Sequence, residues 1–232
     1  MNLEKLLQMQ KVLDERIIKE KGLECQDLTL NTVNALIVEL SEFANEGRWF
    51  KHWSNNQRPR IEIYVDCRAC SGTGDANYEM VQEDAEGSGG HEYINCEECE
   101  GSGSEGPKNP LLEEYVDGLH FFLSLANQKG WQNSLYIYED AIDDIRNEGF
   151  KDGLTGAFLE TNYWLLKAFM EIDRDEKLER TLGITKQEFC FKSAWFMFLA
   201  IGLVGFNLTF EQIAEAYREK NKVNHQRQES GY

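Results

Sequence analysis

The chain has 232 residues, 41% of them hydrophobic and 12% aromatic, enough for one large domain or a domain with an insert. Its net charge of −17 argues against nucleic-acid binding and against docking on anionic membranes. It leaves a phosphate substrate open, because divalent cations invert a negative local potential.

Three prolines, Pro59, Pro107 and Pro110, flank one Gly-rich region and leave the rest free for helices. The predicted fold class is therefore all-α. Residues 1–20 are charged throughout and lack an apolar core segment, so no signal peptide is expected. The best apolar run, 194–206, is too short to cross a membrane. Six cysteines in such a chain read as cytosolic thiols, four of them as metal ligands, and a cytoplasmic setting is expected.

Residues 3–20 predict an amphipathic helix with Leu3, Leu6, Leu13 and Ile17 buried. Gln10 sits within that stripe. A buried amide needs partners, so it either bonds to neighbouring protein groups or reads the edge of a nucleobase. The next helix is predicted from about Asp27 or Asn31 to Trp53. Val33, Leu36, Ile37, Leu40, Phe43, Ala44 and Gly47 form its core face. Glu39, Glu42 and Glu46 stack on the flank at helical spacing. Like charges so placed either face open water or share a cation.

A short strand is predicted over 61–65, leading into Cys67-Arg-Ala-Cys70-Ser-Gly-Thr-Gly74. The pattern returns as Cys96-Glu-Glu-Cys99-Glu-Gly-Ser-Gly103. Two such knuckles supply four thiolates, the tetrahedral set that zinc prefers. The repeated form resembles the zinc repeats of DnaJ-type chaperones, a likeness of shape only. Residues 61–104 carry eleven acidic residues against one basic residue, Arg68, which opposes a nucleic-acid-binding finger. A structural zinc staple is expected, with protein docking as the alternative. Cys25 and Cys190 are expected to be buried thiols. The predicted organisation is a helical core of 1–60 and 105–232 interrupted by a zinc-binding insert, 61–104.

Residues 111–128 predict a helix with Leu112, Val116, Leu119, Phe122, Leu123 and Ala126 in its core. Glu114 and Asp117 lie at i, i+3 beside that face, with His120 one turn on and Glu113 exposed. An acidic helix follows over 134–148, with Tyr136, Ile137, Ala141, Ile142 and Ile145 inward. Two aromatic-rich helical stretches cover 154–179 and 186–204, with more aromatic surface than one core needs, so part is expected at a subunit interface. Thr209 predicts the cap of a last helix with Glu211 and Gln212 in its first turn. Along it Tyr217, Lys220, Asn224 and Arg227 share one face, suited either to a polyphosphate or to a solvated tail.

Two acidic i, i+3 pairs brought together would hold two or more magnesium ions, which take carboxylates and bridge substrate phosphates. The motifs Val38–Glu46, Phe50-Lys-His-Trp-Ser54, Glu114-Tyr-Val-Asp-Gly-Leu-His-Phe-Phe122, Ala216–Gln228 and Gly231-Tyr232 resemble the dimeric, all-α dUTPases of phages, bacteria and trypanosomatids. That family belongs with the MazG-like nucleotide pyrophosphatases, marked by E-x-x-E followed by E-x-x-D. The resemblance implies magnesium ligands at Glu39, Glu42, Glu114 and Asp117, with Glu42 also orienting or deprotonating the attacking water. It implies phosphate binding at Lys220 and Arg227, a polar contact at Asn224, and a nucleoside pocket lined by His120 and Trp53, with Lys51 taken as substrate-binding beside them. Gln10 falls near the uracil-reading amide, whereas Asp14 stands where the family often has Asn. The implied reaction is dUTP and water to dUMP and pyrophosphate in a homodimer. Alternatives are a dCTP or broader dNTP pyrophosphatase, and a regulatory protein that binds a repressor-like partner. The insert has to leave the two carboxylate helices together.

Overall fold

The computed structural model describes residues 2–77, 92–171 and 173–231. Residues 78–91 of the insert and Tyr232 of the C-terminal motif lie outside the described residues. Two compact units result, one of Met1–Pro59 with Leu111–Tyr232, the other of Arg60–Pro110.

The first unit is all helical. Helix α1, Leu3–Glu20, starts where the Asn2 side chain accepts from the Lys5 N–H. It buries Leu3, Leu6, Leu7, Gln10 and Leu13. Helix α2 runs Thr29–Gly47, ending short of the predicted Trp53. Arg48 takes a left-handed conformation (φ 61°) and closes the helix by bonding back to the Ala44 carbonyl. The Trp49 ring then folds over Gly47, where a Cβ would lie 2.2 Å from it, and meets Phe43 and Phe206. The apolar residues after Gly47 thus serve the core without continuing the helix.

Helix α3, Pro110–Lys129, crosses the centre with Leu111, Tyr115, Leu119, Phe122 and Leu123 fully buried. A short 3-10 turn, Gln132–Leu135, precedes α4, Glu139–Glu148. Tyr136 is exposed, not inward, because the chain is extended there and α4 begins only at Glu139. The predicted stretch 154–179 is two helices, α5 (Gly153–Met170) and α6 (Glu176–Leu182). Asp175 caps the second by accepting from the Leu178 N–H, which gives the chain a fresh start. Helix α7, Lys186–Ala200, runs on through a π-helical turn, Ile201–Gly205. Together, Lys186–Gly205 is long and apolar enough to cross a membrane, against the sequence expectation. In this fold Phe191, Ala194, Trp195 and Phe198 of that stretch are buried in the core. Helix α8, Phe210–Glu229, opens on a capping box between Thr209 and Gln212.

Tyr115 fixes how α3 is rolled. Its ring stacks on Phe198 at 4.3 Å, and a Cβ on Gly202 would come within 2.5 Å of it. With Tyr115 and Val116 locked inward, Glu114 and Asp117 are left half-buried on the flank and Glu113 exposed.

In the second unit, β1 (Ile63–Asp66) pairs antiparallel with β2 (Ser104–Lys108), with a register irregularity between Tyr64 and Asp66. Cys25, expected to be buried, is exposed in the turn after α1, whereas Cys190 is buried.

Candidate active site and thiolate cluster

Within the helical unit, carboxylate oxygens of Glu39 and Glu42 from α2 and of Glu114 from α3 all lie within 4.8 Å of one another. The whole cysteine-bearing unit separates these helices in sequence, yet the two acidic pairs meet. Asp117 is turned toward α8, where Lys220 Nζ lies 2.5 Å from its Oδ2. Glu46, the third carboxylate of the α2 stripe, is outside the cluster of three.

Crowding of this kind disfavours the ionised forms. Burial, then the charges of Asp117 and Glu42, push the Glu39 carboxyl up to about 7, with Lys220 opposing. Glu114 is also pushed up to about 7, by burial and by Asp117, Glu42 and Glu39. Burial raises Asp117 as well, while Lys220 and Arg227 draw it back. The cluster is an oxygen-only ligand set whose own repulsion is relieved by a hard cation such as magnesium. Arg227 is exposed on α8 and is felt electrostatically by Asp117. Asn224, half-buried, lies between Lys220 and Arg227 along the same helix.

One turn along α3 from Asp117 lies His120, 4% exposed, stacked at 4.1 Å on Tyr217 of α8. Its Nδ1 is 2.6 Å from Gln10 Oε1. Burial drives its pKa down to about 3, so the ring is neutral. Gln10 donates from Nε2 to Asp14 Oδ1 (2.8 Å) and Ser124 Oγ (2.9 Å), and its Oε1 accepts from the Tyr217 hydroxyl (2.8 Å). Of the two arrangements open to Gln10, the structure has the internally bonded one. Ser124 was not singled out from the sequence. Its signal was position, seven residues after Asp117 and four after His120 on one helix face.

Lys51 and Trp53 lie in the turns after α2. Lys51 bonds to Asn45 and sits over the Phe50 ring; Trp53 is 67% exposed and touches the rings of Phe50 and His52. Among the described residues, these contacts do not join either side chain to the carboxylates. A groove of about 840 Å³ lined by Leu135, Ile142, Trp195 and Leu208 takes in none of the site residues.

In the second unit, Cys67, Cys70, Cys96 and Cys99 are buried with their sulfurs within 4.8 Å of one another. The cross-knuckle separations are 3.9 Å for Cys67–Cys96 and 3.7 Å for Cys70–Cys99. A zinc ion with Zn–S bonds of about 2.3 Å needs tetrahedral edges of roughly 3.8 Å. The four thiols therefore fit zinc. The knuckles are built alike. The Gly74 N–H points at Cys70 Sγ and the Gly103 N–H at Cys99 Sγ, both at 3.2 Å. The Cys67 N–H bonds to the Gly103 carbonyl and the Cys96 N–H to that of Gly74, both at 2.9 Å. A Cβ on Gly103 would meet the Gly72 carbonyl at 2.4 Å, and φ there is +75°, so only glycine closes this turn.

The fold is all-α, and Glu39, Glu42 and Glu114 meet in it as a set that could hold a metal ion. A family model described as dUTPase matches residues 2–69 and 102–232, so the chain belongs to the dUTPase family. A search among curated proteins found no match. The matched ranges stop at the knuckles and omit residues 70–101, which include Cys70, Cys96 and Cys99.

Proposed function

We propose that the chain hydrolyses dUTP to dUMP and pyrophosphate, with Glu39, Glu42, Glu114 and Asp117 as magnesium ligands. The observation that carries this reading is the meeting of Glu39, Glu42 and Glu114 within 4.8 Å, with Lys220 held on Asp117 alongside. Magnesium bound there would neutralise phosphate charge and make water a better nucleophile. The remaining work falls to the chain. Glu42 is the exposed member of the cluster, open to an incoming water, and takes its proton as the oxygen attacks the α-phosphorus. Lys220 and Arg227 hold the outer phosphates, and Asn224 between them contributes a polar contact. The attack is in line, and pyrophosphate leaves with the charge they already balance. In the family-based reading Lys51 and Trp53, in the turns after α2, and His120 on α3 line the nucleoside pocket.

The second unit binds zinc through its four cysteines as a structural staple. The active form is a homodimer. Leu159, Tyr163, Leu166 and Met170 stand 44–69% exposed along α5, an apolar stripe suited to a second copy.

Glu42→Gln tests the mechanism. Turnover falls at least ~100-fold while magnesium still binds in calorimetry and the fold is kept. Near-normal turnover by that variant removes Glu42 from the reaction.

A further inference from the structure

The interior of the second unit is its metal-binding set. Its buried hydrophobic cluster consists of Cys67, Cys70, Cys96 and Cys99. Larger apolar side chains have no core to enter, and Ile61, Tyr64, Tyr93 and Ile94 stand 46–70% exposed. Tyr93 has a structural role, since its hydroxyl donates to the Gly74 carbonyl at 3.0 Å. Tyr64, on β1, projects into solvent with 70% of its surface open.

The two strands differ in what their outer edges offer. Pro107 faces Tyr64 across the pair and has no N–H, so these two residues do not exchange backbone bonds. In an antiparallel ladder such a pair turns its backbone polar groups outward. On β2, Pro107 therefore brings no donor to the outer edge. Gly106 beside it sits at φ +95°, and the register is irregular there. That edge is closed to a further strand. On β1, Tyr64 turns both its N–H and its carbonyl outward. Among the described residues the sheet has two strands, so nothing is paired to the outside of β1.

Charge says what fits there. Tyr64 and Asp66 are the exposed positions of β1, and Glu62, just ahead of the strand, is exposed as well. Two carboxylates thus flank the Tyr64 ring, two residues away on either side. Of the described residues of this unit, eight are acidic and three basic. Two of the basic ones, Arg68 and Lys108, are both paired with Glu105. A second copy of β1 is a poor occupant. Antiparallel pairing about Tyr64 would set Glu62 against Asp66 twice, and like charges directly opposite are destabilising. The same geometry favours a strand with cations at those two places.

We infer that the outer edge of β1 docks an extended, basic segment of a partner protein, added as a third strand. The segment carries basic residues four apart with an apolar residue midway. The apolar residue lies beside Tyr64 and exchanges two backbone bonds with it, while the cations lie opposite Glu62 and Asp66. Zinc holds this edge in place. Cys67 follows β1 directly, and its N–H bonds at 2.9 Å to the Gly103 carbonyl just ahead of β2. The docking edge is separate from nucleotide hydrolysis, and its test does not depend on turnover.

The test uses the full, zinc-loaded chain and a short fluorescein-labelled peptide containing Lys-Thr-Val-Thr-Lys. One control replaces both lysines by glutamate, and the other keeps them and methylates the backbone nitrogen of the valine. By fluorescence anisotropy the lysine peptide binds at least ~tenfold more tightly than either control. The Tyr64 amide becomes protected from hydrogen exchange when it binds, and stripping zinc with a chelator abolishes binding. Glu62→Lys combined with Asp66→Lys reverses the choice toward the glutamate peptide. Glu62→Lys alone, outside the knuckles, weakens the lysine peptide at least ~threefold and decides the matter should the double variant lose zinc. Equal binding of the N-methylated peptide would leave charge attraction only and overturn the inference. So would unchanged binding by Glu62→Lys, binding that survives zinc removal, or no binding of any peptide. A dimer that dissociates in Tyr64→Lys, read by sedimentation, would give the edge to a second copy and overturn it too.

Discussion

Lys220 Nζ lies 2.5 Å from Asp117 Oδ2, so a cation of the chain itself occupies one of the four carboxylates. The pair is mostly shielded, with side chains 24% and 16% exposed, and it joins the last helix to the centre of the fold. On the proposed reading, Lys220 competes with magnesium for Asp117 and is freed toward phosphate when magnesium binds. Lys220→Met is expected to strengthen magnesium binding to the nucleotide-free protein and to weaken binding of an imido-dUTP analogue at least tenfold. Calorimetry of both ligands checks this, and equal affinities in variant and wild type would separate Lys220 from both roles.

The raised carboxyls make metal-free stability depend on pH. Glu39 and Glu114 hold protons up to about 7 when folded and only to about 4.5 when unfolded. The folded chain thus binds more protons in that window, and unfolding becomes easier as pH rises through it. His120 acts the other way, but only below its unfolded value of 6.5, since its folded pKa is about 3. Between pH 6.5 and 8 the carboxyls dominate. The melting temperature in EDTA is expected to fall across that interval, and magnesium is expected to restore it at pH 8. A metal-free melting temperature that rises over the same interval is the contrary result.

Gly202 is required by the Tyr115 ring, which a Cβ there would meet at 2.5 Å. Gly202→Ala is expected to cost about 1–3 kcal/mol through overpacking. Because Tyr115 sets the roll of α3, the same variant should also loosen magnesium binding by shifting its neighbour Glu114. Urea unfolding and calorimetry read the two effects separately.

For the cysteine-bearing unit, one bound zinc per chain is expected by elemental analysis. A strong chelator should expose all four of its thiols to titration, together with Cys25, which is already exposed. Gly103→Ala is expected to lower zinc affinity, because its turn has no room for a Cβ.

Much of this was legible locally. The bounds of α1 and α3, the Thr209 cap and the two knuckles each follow from residues within a few positions of one another. So does the half-buried flank position of Glu39 and Glu114. What was missed depends on contacts distant in sequence. The end of α2 is set by Trp49 closing on Gly47 against Phe206, and the apolar pattern through Trp53 concealed it. The strand Ser104–Lys108 needs β1 as partner and has little strand character of its own. Gln10 read equally well as internal or ligand-facing, because its partners come from α3 and α8 as well as α1. The Lys220–Asp117 pair was invisible for the same reason: each residue was legible as a ligand or phosphate contact, and their pairing was not.

The most direct measurement is pyrophosphate release from dUTP, dCTP, dTTP and dATP by the zinc-loaded chain, with magnesium and with EDTA. The account predicts magnesium-dependent release from dUTP, abolished by EDTA and far above release from dCTP. Release from none of the four by a folded, zinc-loaded chain would contradict it.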